Sequence, residues 1–339
     1  MSIVIVGDWD ADGVVSTAEV VYAQEYLGIY PLKERRKTVV TPATPRDLET
    51  RVTKILQYEQ SKCIDALVVL DIAYRKGLEN FFKKIRNRVR KVVYIDHHLS
   101  TAVHASKLET VTDELIVGKA PTTLLVAHVI KSLGGRLSPR LEAFVRAAAI
   151  VEKGYASRRD EIERYRKLVS MVVQMSRVLT YTHRDDVWEK LVRWLASPLS
   201  FTAMPFAPDI SRTISELHRK VSVDIKSIAM ELAPSAKRIF NLRFVDARKV
   251  RGVRPSALAS TLYRVFRGPV VVVMESRRGD TVLAIRDRGD TPYRLAMKLY
   301  EMGIAKDLAG HQSLALVLID RSIPLDRVVE AIRRSLLSI

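Results

Sequence analysis

Residues 6–16, VGDWDADGVVS, decide the fold of this chain. The apolar run Ile3-Val4-Ile5-Val6 before them reads as a buried strand, and Val15, Ala18 and Val21 after them recur at helical spacing. Three carboxylates, Asp8, Asp10 and Asp12, therefore stand where a strand ends and a helix begins, the place where an open parallel sheet puts its ligand site. Two further strand ends carry matching chemistry. Leu67-Val68-Val69-Leu70 runs into Asp71, and Val92-Val93-Tyr94-Ile95 runs into Asp96-His97-His98.

Carboxylates packed this closely repel, and a divalent cation relieves them. Asp10 and Asp12 alternate along what reads as an extended loop, with Gly13 permitting a tight turn into the helix. Asp71 can bridge two cations. A nitrogen ligand at His97 moves the preference from magnesium toward manganese, and Asp96 is placed to orient a histidine. The plainer reading stands beside this one: an acidic loop at a helix start is also an ordinary cap.

Strands alternating with helices predict an α/β fold. A mainly parallel-sheet domain is expected over residues 1–155 and a helical connector over 156–235. A smaller mixed α/β domain is expected over 236–339. Helices are expected at about Val14–Leu27, Leu78–Val89, from Thr122 to Gly134, and from Ser138 to Glu152, with a loop through Ser100–Ala120. In the connector, Leu217, Val221, Ile225, Ile228 and Leu232 keep helical spacing, and Trp194, Phe201 and Phe206 offer either a partner patch or a core. Beyond it, strands are expected over Ile239–Val245, Val270–Met274, Thr281–Ile285 and Leu314–Ile319, with Ala309-Gly310-His311-Gln312 opening the last.

The net charge of +18 favours a polyanionic partner. Residues 236–339 hold 20 Lys/Arg against 10 Asp/Glu, so more than half of the excess lies in the last third. Cys63 is the one cysteine, which excludes an internal disulfide and a cysteine-based zinc site and fits a reducing cytoplasm. No apolar run is long enough to span a membrane, and no secretory leader is expected.

The chain resembles the DHH phosphoesterases, in their RecJ-like, archaeal-type form. VGDWDADGVVS matches the family's first motif, Asp71 the second, and Asp96-His97-His98 the third. The resemblance implies that Asp10, Asp12, Asp71 and His97 hold two manganese ions, that Asp8 supports or joins them, and that His98 contacts the phosphate or leaving group. Magnesium is the other ion such a site accepts. The fourth motif departs: where the family has an Asp, Ala147–Gly154 offers Glu152 as a metal-binding carboxylate, or Lys153 as a phosphate contact. Toward the C-terminus, Arg286, Gly310 and His311 resemble the substrate contacts of a DHH-associated domain, with its Gly-rich loop reduced to AGH. The function implied is a manganese-dependent, single-strand-specific exonuclease on DNA or RNA in repair or replication, partnered by single-stranded nucleic acid and by a helicase or replication protein. A phosphodiesterase for short oligonucleotides or dinucleotides, and a non-catalytic replication scaffold, are the alternatives.

Overall fold

A computed structural model describes residues 3–58, 63–153, 159–198, 215–216, 225–276 and 279–337. These fall into two compact units, one holding every element up to residue 196 and the other those from residue 225 onward.

Five parallel strands form the first sheet: β1 (Ile3–Gly7), β2 (Thr38–Pro42), β3 (Ile64–Leu70), β4 (Val89–Asp96) and β5 (Glu114–Val117). β1 and β3 are buried at every residue, as their unbroken apolar runs require when helices cover both faces. Alternation along each strand sends Ile3, Ile5, Ala66, Val68 and Val93 to one face and Val4, Val6, Leu67, Val69 and Val92 to the other. The first face packs on α1 (Ala11–Tyr22), α6 (Thr122–Ser132) and α7 (Pro139–Lys153). The second packs on α2 (Leu48–Tyr58), α3 (Leu78–Ile85) and Leu108 of α5 (Ala105–Glu109). Each such side chain contributes about 2 kcal/mol by leaving water.

The strand order is β2-β1-β3-β4-β5. The chain leaves β1 toward one face through α1 and leaves β3 toward the other through α3. Their carboxyl ends therefore diverge and open a crevice at the reversal of strand order. Asp8, Asp10 and Asp12 follow β1, Asp71 follows β3, and Asp96 closes β4.

The structure departs from the sequence expectations at several places. The stretch 100–120 is not a loop: it holds most of α4 (Leu99–Val103), all of α5, and β5. The helix expected to reach Val89 stops at Ile85, because Val89 already pairs with Ile64. Residues 159–196 are helical, as expected, and pack on the first sheet. α8 (Arg159–Arg164) leads into α9 (Arg166–Thr182) and α10 (Asp185–Ala196). Val172, Met175, Leu179, Trp188 and Leu191 then share one core with Ile3, Ile5, Val14 and Val15. Apolar faces of that size need a partner, and the α1 side of the sheet supplies it. Trp194 packs edge-on against Phe144, with the Arg140 guanidinium over its ring. Phe201, Phe206, Leu217 and Val221 lie outside the described residues.

The second unit is a six-stranded mixed sheet, ordered β10-β11-β9-β8-β7-β6. The single strand expected over 239–245 is a hairpin, β6 (Lys237–Ile239) and β7 (Leu242–Asp246), turned at Phe240, whose φ is 52°. α11 (Pro255–Phe266) leads into β8 (Val270–Glu275), parallel to β7, and buries Leu258, Leu262 and Tyr263 against Val270, Val272 and Ala284. Ile228 and Leu232 pack against this same core. β9 (Thr281–Arg286) precedes α12 (Thr291–Glu301), and β10 (Ala305–His311) pairs antiparallel with β11 (Leu314–Ile319) before α13 (Leu325–Leu337). Gly310 and His311 therefore end β10 instead of opening β11. At Gly310 φ is 94°, and a Cβ would run into the Leu314 carbonyl oxygen, so the hairpin requires glycine there. No helix among the described residues is long and apolar enough to cross a membrane.

Candidate metal centre

The acidic stretch is not an extended loop throughout. Asp10 is the N-cap of α1: its Oδ1 accepts from the amides of Asp12 at 3.0 Å and Gly13 at 3.1 Å. Asp12 lies inside the first helical turn and is buried. Gly13 is needed for close approach and not for a turn, because a Cβ there would sit 2.5 Å from the Asp8 backbone.

Asp12 points across to the start of α6. Its Oδ2 accepts from the Thr122 amide at 2.7 Å and its Oδ1 from the Thr123 amide at 2.9 Å. Two amides at a helix amino end form an anion seat. Asp71, with a left-handed φ of 60°, is 1 % exposed. Its Oδ1 accepts from the Thr122 hydroxyl at 2.9 Å, while its buried Oδ2 has no hydrogen-bond partner. Non-glycine residues held at positive φ cluster at functional sites.

The histidines close the group. His97 Nε2 stands 3.3 Å from Asp71 Oδ1 and 3.6 Å from Asp12 Oδ2. His98 Nδ1 bonds Asp96 Oδ1 at 2.7 Å and lies 4.0 Å from Asp71 Oδ1. Asp71, His97 and His98 each offer a ligand atom within 4.8 Å of the others. Asp96 is itself held by the Thr101 hydroxyl, which also accepts from the Tyr74 amide.

These contacts set the charges. Burial, then Asp10, raises both Asp8 and Asp12 to about 7. Burial, then Asp12 and the other aspartates, holds Asp71 well above the carboxylate range. Burial, then His98, lowers His97 to about 3, so its imidazole is neutral, the form that binds a metal. Burial opposes charge on His98, but Asp96 outweighs it and raises the ring to about 9. Asp96 stays below its usual range, because His98 offsets its burial.

A divalent ion fits this donor set. Oxygen donors with one neutral nitrogen suit manganese or magnesium, and the orphaned Asp71 Oδ2 is a buried acceptor awaiting a cation.

The structure thus brings together Asp12, Asp71, His97 and His98, with Asp8 and Asp10 on the adjoining loop. Glu152, half-buried in the last turn of α7, is outside the group of three that converges on Asp71. The Lys153 side chain lies outside the described residues. In the second unit, Arg286 Nη1 bonds Ser313 Oγ at 3.1 Å, and Ser313 Oγ is 3.5 Å from His311 Nδ1. Arg286, His311 and the Gly310 backbone therefore share one corner at the β9–β10–β11 edge.

Sequence reasoning missed four residues around the centre: Thr122, Thr123, Trp188 and Glu19. The Trp188 indole N–H bonds the Asp8 carbonyl at 2.9 Å and so ties α10 to the acidic loop. Glu19 is fully buried and accepts from the Thr123 hydroxyl at 2.9 Å; burial holds its carboxyl well above the usual range. A glutamate on an otherwise apolar helical face was the available signal for it.

A doubly wound sheet with carboxylates and histidines gathered at its switch point defines the class of the first unit: an α/β domain with a candidate metal site. It is a DHH-family domain, since residues 2–143 match the model of the DHH family, N-terminal domain. No curated protein sequence matches the chain significantly. Among solved structures, a DHH-domain protein described as a member of the s1p family of ribosomal proteins has a TM-score of 0.64 at 14% identity. That match covers 100% of this chain and 87% of the other. RecJ in complex with Mn2+ from Thermus thermophilus has a TM-score of 0.59 at 16% identity, covering 99% of this chain and 52% of RecJ. A pGpG-specific phosphodiesterase from Vibrio cholerae has a TM-score of 0.53 at 16% identity, covering 99% of each chain. These likenesses show a shared fold, and the chain spans about half the length of that RecJ.

Proposed function

We propose that the protein is a manganese-dependent phosphodiesterase, most simply a RecJ-like exonuclease acting on single-stranded nucleic acid in cytoplasmic DNA repair or replication. The observation that carries this reading is the orphaned, buried Asp71 Oδ2 beside a neutral His97, inside a ring of aspartates.

In this reading Asp8, Asp10, Asp12, Asp71 and His97 would hold two ions, with Glu152 as the further carboxylate in place of the family's Asp. When bound, such ions supply an activated water and neutralise phosphoryl charge. The chain's own groups do the rest. His98, kept protonated by Asp96, donates to a phosphoryl oxygen or to the leaving group. Lys153 is a further phosphate contact. Arg286, the Gly310 amide and His311 bind phosphate in the second unit, whose excess of basic residues suits a polymer.

A second reading, a phosphodiesterase for short oligonucleotides or dinucleotides, is favoured by the end-to-end match with the pGpG-specific enzyme. The test is digestion of end-labelled DNA and RNA of two to forty nucleotides with manganese, using the wild type and Asp71→Ala. Loss of hydrolysis in Asp71→Ala is expected. Equal activity in both proteins refutes the assignment, and preference for two- to four-nucleotide substrates selects the second reading. A wild type that neither binds nor is stabilised by manganese leaves the scaffold alternative.

A further inference from the structure

Asp12 and Asp71 arise from different strand ends, yet one residue bonds to both. Thr122, fully buried at the start of α6, gives its amide to Asp12 Oδ2 at 2.7 Å and its hydroxyl to Asp71 Oδ1 at 2.9 Å. The neighbouring Thr123 turns its hydroxyl the other way, to Glu19. Of the two hydroxyls at this helix start, only that of Thr122 faces the cluster.

We propose that Thr122 is a positioning residue of the metal centre: its hydroxyl fixes the rotation of the Asp71 carboxylate and its amide fixes Asp12 alongside, so that both are set for an ion before it binds. This rests on reading the cluster as a metal site. The geometry supports it in three ways. Asp71 sits on a left-handed backbone, and its carboxylate accepts the Thr122 hydroxyl at 2.9 Å. The atom left orphaned is Oδ2, the oxygen that Thr122 does not take. His97 Nε2 stands 3.3 Å from Asp71 Oδ1 and 3.6 Å from Asp12 Oδ2, the same two oxygens that Thr122 holds, so Thr122 sets both carboxylates against the imidazole. A hydrogen bond that orients a ligating carboxylate governs metal affinity as well as activity.

The test uses the full chain as wild type, Thr122→Val and Thr122→Ser. Valine keeps the shape and the amide and removes the hydroxyl; serine keeps the hydroxyl. Manganese affinity is read by calorimetric titration and by the manganese-induced rise in melting temperature, and kcat and KM are read separately on a labelled single strand. Thr122→Val is expected to bind manganese about 10–100-fold more weakly and to lose kcat with KM unchanged. Thr122→Ser is expected to match the wild type. Should Thr122→Val not fold, Thr122→Ala against Thr122→Ser decides the same question. Wild-type affinity in the valine or alanine variant overturns the proposal, as does equal loss in the serine variant. A wild type that takes up no manganese overturns the metal-centre reading itself, a result distinct from either of those.

Discussion

Raising the pH of the metal-free protein should destabilise it, and manganese should reverse the effect. Asp8 and Asp12 are each raised from 3.8 to about 7 in the fold. Between pH 4 and 7 the native state therefore holds up to two more protons at these sites than the unfolded chain. His97, lowered from 6.5 to about 3, works against this, because there the unfolded chain holds the extra proton up to pH 6.5. The balance is about one proton in favour of the native state, so stability falls on the order of 1 kcal/mol per pH unit as pH rises. Over three units that amounts to a few kcal/mol, a large share of a domain's stability. Asp71 and Glu19, both raised, add to the loss. His98, raised from 6.5 to about 9, stabilises fully below 6.5 and loses that contribution as pH climbs through 9. The lowered Asp96 stabilises above 3.8 and matters only in stronger acid. Metal binding needs the deprotonated carboxylates and releases protons, so stabilisation by manganese should grow from pH 5 to pH 8. The assay is urea unfolding at pH 5, 6.5 and 8, with chelator or with excess manganese, repeated on Asp12→Asn, which should flatten the metal-free slope. Metal-free stability that is level or rises with pH, or a manganese effect of equal size at pH 5 and pH 8, refutes the reasoning.

Two further outcomes test the supports of the two units. Trp188→Phe keeps the ring but removes the N–H that holds the Asp8 carbonyl, so it should cost about 1–2 kcal/mol and weaken manganese binding. Unchanged unfolding and metal titration would show that α10 does not position the loop. Gly310→Ala forces a Cβ against the Leu314 carbonyl at a φ of 94° and should destabilise the second unit by about 1–3 kcal/mol, leaving manganese stabilisation of the first intact. Hydrogen exchange resolved along the chain separates these effects, and unaltered protection over β10 and β11 would show that the hairpin relaxes.

The central strands were legible because burial on both faces leaves continuous apolar runs. Ile3–Val6, Leu67–Leu70 and Val92–Ile95 all became strands, and the acidic and imidazole residues that follow them mark the carboxyl edge. The edges were harder to read. β5 is four residues long and half-buried throughout, so Glu114-Leu115-Ile116-Val117 carries neither a long run nor a clear alternation. β10 reads Ala-Lys-Asp-Leu-Ala-Gly-His, with polar residues where a central strand would have valine; as an edge strand it needs only one covered face. The amphipathic pattern of α9 and α10 was visible, but periodicity gives the direction of an apolar face and not the surface that covers it.

At the site, the residue types were readable and their supports were not. The Thr123 amide reaches Asp12 across 111 positions of sequence and the Trp188 indole reaches Asp8 across 180, contacts that no local pattern encodes. A helix cap and a metal ligand need not exclude each other. A carboxylate has two oxygens, and here the fold uses them unequally. Asp10 commits Oδ1 to two amides of its own helix, and Asp71 commits Oδ1 to Thr122 while Oδ2 stays unbonded. Capping thus fixes the direction of the remaining oxygen. On the proposed reading, a residue that looks structural in sequence is, by that same bond, pre-oriented for an ion, and the raised carboxyls show how protonation would carry the cluster without one. In the proposed reading, the stability that the fold gives up at neutral pH to hold four aspartates together would be returned by a bound cation, and the unbonded oxygen of Asp71 is one of the acceptors that such an ion would satisfy.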